Sequence, residues 1–279
     1  YLKARTPIPC TLCNQRLKFD HLISRAKEFG YERVATGHYA LIVKDDTSGH
    51  FPIKRGRDRS RDQSYFLFNL SQDQLSRLEF PLGDTDKKDV RHMAKELGLK
   101  VADKAESREI CFVPDNDYAS FIEKRVSDES FREGSIVNAD GETLGKHKGY
   151  PAFTIGQRKG LEIGGGYSDF SEPWFVAEKR LDSNEIVVVQ GDHPSLYHKT
   201  LIADSVHWIG NEPNLPHQCS AKIRYRQASQ DCNIEFKDKG CIKVNFSQPQ
   251  RAVTPGQSIV FYDDDVCLGG SVIESRSNE

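Results

Sequence analysis

The residues best suited to chemistry are two cysteines near the start of the chain. The segment TPIPCTLCNQ places Cys10 and Cys13 in a C-x-x-C pair directly after two prolines. Each proline fixes its own φ and restricts the residue before it, so the pattern predicts an extended approach that ends where a helix begins. Because unpaired N–H groups at a helix start favour a thiolate, we expect lowered thiol pKa values and nucleophilic sulfur at both positions.

The same pair has other interpretations, since a C-x-x-C segment is also half of a zinc site or simply two buried thiols. A closed zinc site needs four ligands. The sequence has no second C-x-x-C, so the remaining candidates are Cys111 and His38. Cys111 lies in the apolar segment EICFVP, where a cysteine by itself is typical of core packing.

Three further segments are candidates for binding. Gly37 and His38 lie at the end of an expected strand, at a place where a nucleotide can approach the backbone. The loop RGRDRSRDQSYF interleaves four arginines with small and acidic residues, as suits phosphate contacts. In KIRYRQ the bases alternate with apolar residues, which predicts a strand with one basic face for RNA. Each segment also has an alternative without a binding function: His38 as a core histidine, the arginine loop as a solvated loop, and KIRYRQ as the solvent-facing side of a sheet.

Helices and strands must hold these residues in place. A helix is expected from 14 to 29, ended by Gly30, followed by a strand from 31 to 40 and a hairpin of 41–44 with 51–55. Ser71 and Gln74 have the spacing of a capping box, and a second helix is expected from 87 to 97. From 134 onward, short apolar runs between turns predict a mostly β region. Six short strands after residue 200 predict a small β-barrel.

Composition limits the class of protein. The chain has 279 residues, enough for two or three domains. Its 39 basic and 41 acidic residues give a formal charge of −2, so any RNA surface must come from local clustering. Seven cysteines in a chain this long are not typical of a secreted disulfide protein. Without a secretory signal or a run of about 18 apolar residues, we expect a cytoplasmic protein with no membrane contact.

Taken in order, many segments resemble the successive motifs of the bacterial and organellar tRNA 2-thiouridylases: TPIPCTLCNQRLKF, ATGHY, RDQSYFLF, EICFVP, TIGQRKGL, EPWFV, KIRYRQ, AVTPGQSIVFY and CLGG. The resemblance runs nearly end to end. It implies an α/β partial PP-loop (adenine nucleotide alpha hydrolase-like) catalytic domain over 1–116, a mostly β central tRNA-binding domain over 117–198, and a C-terminal six-stranded β-barrel over 199–279.

The resemblance also implies a reaction. Such enzymes bind the anticodon region of tRNA for Lys, Glu and Gln, and use ATP with Mg²⁺ to adenylate the C2 oxygen of the wobble uridine. A protein persulfide, loaded by a sulfur-donor protein, then displaces AMP. By this resemblance Cys111 bears the persulfide, and Cys13 is the partner thiol that forms a disulfide with it or releases the sulfur. The other implied roles are contacts to the target base from Ile8, Pro9 and Cys10, to the nucleotide from Gly37, and to tRNA from His38, Arg61, Asp62, Gln63, Arg224, Tyr225 and Gln257.

The sequence departs from the family pattern in three places. The family's phosphate-binding loop and an initiator methionine are missing, so we expect a truncated chain that binds ATP poorly by itself. Ile8 replaces the usual Asn, and Cys10 stands where many relatives carry an acidic residue. Three cysteines, Cys10, Cys13 and Cys111, are enough to hold a [4Fe–4S] cluster with one open iron, which is an alternative sulfur route. A tRNA-binding module without catalysis and a zinc-stabilised structural protein also stay open.

Overall fold

The chain begins with one continuous helical run whose middle part is wound more loosely. In the computed structural model, which describes residues 1–104, 110–113, 117–126, 131–163, 172–238 and 240–278, this run consists of α1 (Pro9–Leu12), a π-helical segment (Cys13–Asp20) and α2 (His21–Glu28). Proline suits the first helical position because its missing N–H has no helical partner there. Gly30, at φ +80°, terminates the run. The predicted helix is confirmed, but it starts five residues earlier than expected.

The first region is a small α/β arrangement. Strand β1 (Val34–Ala35) and strand β4 (Leu78–Glu79) pair in parallel, while β2 (Ala40–Ile42) and β3 (Ile53–Arg55) form the predicted hairpin. Helix α3 (Gln72–Leu75) begins with the predicted capping box of Ser71 and Gln74, and α4 (Lys87–Glu96) follows. The single strand predicted from 31 to 40 is wrong. Its two ends belong to different sheets, and the stretch from 36 to 39 connects them.

The central region is a four-stranded sheet preceded by a short helix. After α5 (Tyr118–Glu123) come β5 (Gly134–Val137), β6 (Thr143–His147), β7 (Trp174–Arg180) and β8 (Glu185–Gln190), in the spatial order β6-β5-β8-β7. The β5–β8 pair is parallel and the other two pairs are antiparallel. One side of the sheet buries an apolar cluster: Ile136, Tyr150, Phe153, Leu161, Val176, Ile186 and Val188.

The last region contains the predicted six-stranded barrel, built from β9 (Tyr197–Ala203), β11 (His217–Lys222), β12 (Gln230–Phe236), β13 (Ile242–Arg251), β14 (Ser258–Asp263) and β15 (Val266–Ser277). Antiparallel pairs run β14-β11-β12-β13-β9-β15, and a β15–β14 pair closes the circle. A short strand, β10 (His207–Trp208), adds to β15. The expected arginine-bearing strand from 221 to 226 is wrong. The chain leaves the ladder after Lys222, so Arg224 and Arg226 lie in a loop.

The barrel and the first region share one sheet. Cys267 of β15 lies opposite Ile53 of β3, and the β2–β3 hairpin continues the sheet outward. The start of the chain is held to the barrel as well, because Thr6 N–H donates to Pro255 O at 2.9 Å. The boundaries predicted at 116 and 198 stay predictions. Over the parts of the chain that the structure describes, no helix has the length and apolar character needed to cross a membrane.

Candidate thiol site and its surroundings

Cys10 and Cys13 lie three residues apart on one face of the first helical run. Cys10 is in its first turn, but Cys13 is not at the helix mouth as predicted. The helix already begins at Pro9, and the Cys13 N–H bonds back to the carbonyls of Pro9 and Cys10. Both side chains are half-buried. They are therefore accessible from one side, with the helix and the core of the first region behind them.

Cys111 comes from a distant loop and lies near enough to Cys10 to affect its pKa. Burial raises the pKa of the Cys10 thiol, the nearby thiols of Cys111 and then Cys13 raise it further, and the Lys18 cation opposes the rise. The expected lowering of the thiol pKa is thus wrong for Cys10, because burial outweighs the favourable helix end. Cys111 itself is exposed. Its motif neighbours Glu109 and Pro114 lie outside the described residues.

None of the seven cysteines is in a disulfide, each lying in a described part of the chain. Cys13 and Cys111 are therefore both available as thiols. Among the residues with a described position, no three or more His, Cys, Asp or Glu side chains are grouped so as to hold a metal ion. The arrangement of Cys10, Cys13 and Cys111 gives the zinc and [4Fe–4S] hypotheses no support, and the cluster stays a prediction.

Lys18 is a charged neighbour of the thiols that the sequence did not reveal. In an α-helix, the fifth residue after Cys13 would point about 140° away from it around the axis. A π-helix, bonded from i to i+5, turns less per residue and brings that position back toward the same face. The Lys18 cation lowers the pKa of both Cys10 and His38, which places its charge beside the thiol site.

His38 lies between two aromatic rings. Its ring centroid is 5.3 Å from that of Phe19 and 5.4 Å from that of Phe80, and its Nδ1 is 2.8 Å from the Thr36 hydroxyl. Burial and then Lys18 lower the pKa of His38 to about 4, so the ring is neutral at pH 7. It can hydrogen-bond or stack, but it does not offer a positive charge to a phosphate.

The other predicted site residues of the first region are Gly37, Ile8 and Pro9. Gly37 is exposed just after β1, and a Cβ built there would meet Leu82 at an ordinary 3.5 Å. Packing therefore does not require glycine at 37, and its contact with a nucleotide stays a prediction. Ile8 adopts an extended conformation before the helix and packs against the core of the first region, with Pro9 beginning the helix.

The arginine loop is held from inside by two of its predicted site residues. Asp62 is 4% exposed, and its carboxylate accepts bonds from the Gly56 and Ser64 N–H groups, both at 3.1 Å. Gln63 accepts from the Tyr39 N–H at 2.9 Å. Arg61 is half-buried at the turn of the loop. The structure thus brings these three together, but the Asp62 and Gln63 groups are already used within the protein.

The barrel residues lie at junctions between regions. Arg224 Nη2 donates to Ile155 O of the central region at 2.7 Å, and to Thr254 Oγ1 at 2.8 Å. The Tyr225 ring packs on Phe66 at 4.4 Å between centroids. Gln257 Nε2 donates to Thr6 O at 2.6 Å, two residues before Ile8. The Gln257 contact brings the barrel to the segment that leads into the thiol helix, the helical run 9–28 that carries Cys10 and Cys13.

Comparison with known proteins divides the chain into the same three regions. Residues 1–115 match a family model described as "tRNA methyl transferase HUP domain", 119–190 match "tRNA methyl transferase PRC-barrel domain", and 198–273 match "Aminomethyltransferase beta-barrel domain". The chain is similar to the tRNA-specific 2-thiouridylase MnmA of Vesicomyosocius okutanii subsp. Calyptogena okutanii, with 49% identity over 276 residues that cover 99% of the chain and 75% of the relative. The enzyme of the same name from Ruthia magnifica subsp. Calyptogena magnifica is 50% identical over 98% of the chain and 74% of the relative. That from Carboxydothermus hydrogenoformans is 44% identical over 99% and 74%.

The chain belongs to the tRNA-specific 2-thiouridylase family. Both the resemblance and the predicted fold class are thereby confirmed. In this 2-thiouridylase family member, the α/β region carries the thiols, and the other two regions follow in the expected order.

Sequence reasoning missed a polar network that fixes the thiol helix. Asn14 donates to Phe66 O at 3.2 Å, and Asn69 donates to the side chain of Gln15 at 3.1 Å. Gln74, recognised only as part of a cap, also donates to Asp20 at 2.6 Å. A signal was present in the sequence, because Asn and Gln rarely occupy buried helix positions without a specific hydrogen bond.

Proposed function

We propose that this protein replaces the 2-oxygen of a tRNA wobble uridine by sulfur. One observation supports this most strongly: Cys10, Cys13 and Cys111 come from two distant segments, yet Cys111 and Cys13 are near enough to raise the pKa of the Cys10 thiol, and the Lys18 cation opposes that rise. The similar proteins are named tRNA-specific 2-thiouridylase. Two of the matching family models carry the words tRNA methyl transferase, but grouped thiols suit sulfur transfer better than transfer of a methyl group.

The chemistry needs a better leaving group than a uridine oxygen. ATP with Mg²⁺ transfers AMP to the C2 oxygen and releases pyrophosphate. The terminal sulfur of a Cys111 persulfide then attacks C2, the C2–O bond breaks, and the oxygen leaves with AMP. At that stage the uridine is joined to Cys111 through a sulfur–sulfur bond.

Cys13 completes the transfer. Its thiolate attacks the Cys111 sulfur, a Cys13–Cys111 disulfide forms, and the electron pair of the broken bond stays on the sulfur of the uridine. A thiol reductant returns both cysteines to thiols. A sulfur-donor protein then reloads Cys111, and the exposure of this side chain suits such a delivery.

The tRNA of this proposal is that for Lys, Glu or Gln, bound through its anticodon region. Ile8, Pro9 and Cys10 line the target base, and Gly37 contacts the nucleotide. The residues that serve tRNA binding, by contact or by support, are His38, Arg61, Asp62, Gln63, Arg224, Tyr225 and Gln257. Since Asp62 and Arg224 already bond within the protein, their part is to hold neighbouring contact residues in place.

Removal of single thiols tests the proposal. Unmodified tRNA, ATP, Mg²⁺ and a persulfide donor are incubated with the full-length protein, and 2-thiouridine is measured by mass spectrometry. Cys111→Ser and Cys13→Ser should each lower product formation by ~10³-fold or more, as loss of a nucleophile does. Cys241→Ser, half-buried in the barrel, is the matched control and should keep full activity.

Other outcomes would change the assignment. Full activity of Cys111→Ser would overturn its role as sulfur carrier. Salt-dependent tRNA binding by the full-length protein, without 2-thiouridine and without ATP turnover, would indicate a binding module instead. Iron and acid-labile sulfide in anaerobically purified protein, both lost in Cys10→Ser, would favour the [4Fe–4S] route over the persulfide.

A further inference from the structure

A second pair of thiols lies far from the proposed sulfur-transfer site in sequence, inside the C-terminal barrel. Cys219 of β11 and Cys232 of β12 are directly opposite each other in the antiparallel ladder. Their Sγ atoms are 3.8 Å apart, in contact and with no other atom between them. Nothing in the sulfur transfer proposed above requires these two residues.

The pair lies where the barrel core opens to solvent. Cys232 is 5% exposed and belongs to the core cluster, while Cys219 is half-buried and packs against that cluster. Both side chains line an open cavity of about 730 Å³, which is bordered also by polar groups such as Lys199, Asp231 and Asn245. A small polar molecule can therefore reach the pair from the cavity, and it meets Cys219 first.

The backbone geometry already suits a bond between the two sulfurs. Residues directly opposite in an antiparallel ladder have Cα atoms about 4.5–5.5 Å apart, and disulfides span Cα separations of about 4.4–6.8 Å. The sulfurs need to approach by a little under 2 Å to reach the disulfide bond length of ~2.05 Å. Rotation about the Cα–Cβ bonds, with a small strand movement, is sufficient.

We propose that Cys219 and Cys232 form a redox-active dithiol that closes into a cross-strand disulfide when a hydroperoxide enters the cavity. The Cys219 thiol gives up its proton, and the thiolate attacks one peroxide oxygen. The O–O bond breaks, a sulfenic acid forms, and for hydrogen peroxide the leaving hydroxide takes up the proton as one water. Cys232 then attacks the Cys219 sulfur, the S–O bond breaks and a second water leaves. Two thiols are oxidised by two electrons, and one peroxide is reduced to two waters.

The roles of the two thiols follow from their surroundings. The hydrogen bond with Cys219, and then burial, raise the pKa of Cys232 far above its usual range. Cys232 thus stays protonated in the resting protein and reacts second, after the sulfenic acid has formed beside it. The bond would fasten the base of the loop 223–229, which carries Arg224 and Tyr225.

Peptide mapping after mild oxidation tests this proposal. The full chain is treated with hydrogen peroxide under native conditions, remaining thiols are blocked with N-ethylmaleimide, and the digest is analysed by mass spectrometry without reduction. We expect a linked peptide pair that joins Cys219 to Cys232 and lacks two hydrogens, and that disappears after dithiothreitol. Cys219→Ser and Cys232→Ser should lack the link, whereas Cys241→Ser should retain it at the wild-type level.

The wild-type protein alone can overturn the proposal, so it does not depend on variants that fold poorly. The proposal is wrong if Cys219 and Cys232 both remain free thiols under conditions that oxidise Cys111 in the same sample. Free thiols are recognised by the N-ethylmaleimide label that they take up once the oxidised protein is denatured without reduction. The proposal is also wrong if Cys219 ends as sulfinic acid with Cys232 still a thiol. Slower hydrogen exchange in 223–229 after oxidation, reversed by dithiothreitol, would support the expected effect on the loop.

Discussion

The thiol helix of the first region and the C-terminal barrel both hold neighbouring cysteines, but in opposite surroundings. Cys10 and Cys13 lie on a helical run that leaves large apolar side chains such as Leu17 and Phe29 about 70% and 69% exposed, beside the Lys18 cation. Cys219 and Cys232 lie across two adjacent strands of a closed barrel whose core is almost fully buried. Access and nearby charge, and not the thiol itself, determine which chemistry each pair can do.

The difference in packing predicts the largest contrast in stability. Phe261 is fully buried in the barrel core, 5.8 Å from the Trp208 ring, whereas Phe29 is 69% exposed at the end of the first helix. Phe261→Ala should lower the free energy of unfolding by roughly 3–5 kcal/mol, and Phe29→Ala should change it by less than about 0.5 kcal/mol. Urea unfolding measures both. Equal losses would mean that the helix surface is packed in solution.

Histidines in the two regions provide a comparison by pH. The pKa of His38 is about 4, lowered by burial and then Lys18, so between pH 6.5 and 4 the unfolded state binds more protons than the folded state. The contribution of His38 to the free energy of unfolding is fully present above pH 6.5 and is lost as the pH falls. The loss reaches about 3 kcal/mol at pH 4. Urea unfolding at a series of pH values measures this effect. In His38→Gln the decrease in the free energy of unfolding between pH 6.5 and 4 should be smaller by the same amount.

His198 in the barrel serves as the matched control. Its pKa is also lowered to about 4, by burial and then Arg276, so the sign of the effect is the same. The His198 side chain is less deeply enclosed, and solvent should make its contribution smaller. If the pH dependence of the free energy of unfolding changes more in His198→Gln than in His38→Gln, the barrel histidine is the more deeply enclosed of the two.

Arg224 tests whether a residue between two regions acts on stability or on RNA binding. Arg224→Ala removes bonds to Ile155 O and Thr254, and should lower the free energy of unfolding by about 2 kcal/mol. Arg226→Ala, at an exposed position two residues on, should be nearly neutral. If Arg224→Ala weakens tRNA binding at unchanged stability, the guanidinium contacts the RNA directly.

Lys18 should give the smallest effect, in a direction fixed by its charge. Because its cation lowers the pKa of both Cys10 and His38, Lys18→Met should raise both pKa values. The pH dependence of iodoacetamide labelling reports Cys10, and NMR titration reports His38. Arg16→Met, exposed on the same π-helical segment, is the control. Unchanged titration of both groups in Lys18→Met would place the ammonium group elsewhere.

The sequence predicted most of the barrel, because alternating apolar residues between turns specify short strands. It failed at KIRYRQ, where the alternation continues beyond Lys222 although the strand does not. The reason is a tertiary contact: the Arg224 guanidinium bonds to carbonyls of Ile155 and Ala252. No local pattern records partners so distant along the chain.

The candidate site was predicted only in part. Local spacing pointed to Cys10 and Cys13, but the link to Cys111 came from the family resemblance, since nothing local distinguishes this cysteine from a core residue. Lys18 was missed because helical periodicity assumes an α-helix, and the π-helical winding changes which residues share a face. The apolar spacing of the segment gives no sign of this change.

The pairing of β15 with β3 affects how the protein is made. Ile53 leaves the ribosome long before Cys267, its partner across the sheet, has been synthesised. Until then the β3 edge of the β2–β3 hairpin has no neighbour, and an unpaired strand edge favours association with other chains. Nascent chains that lack the last strand should therefore depend on chaperones, and a chain truncated before Val266 should aggregate more readily than the full-length chain.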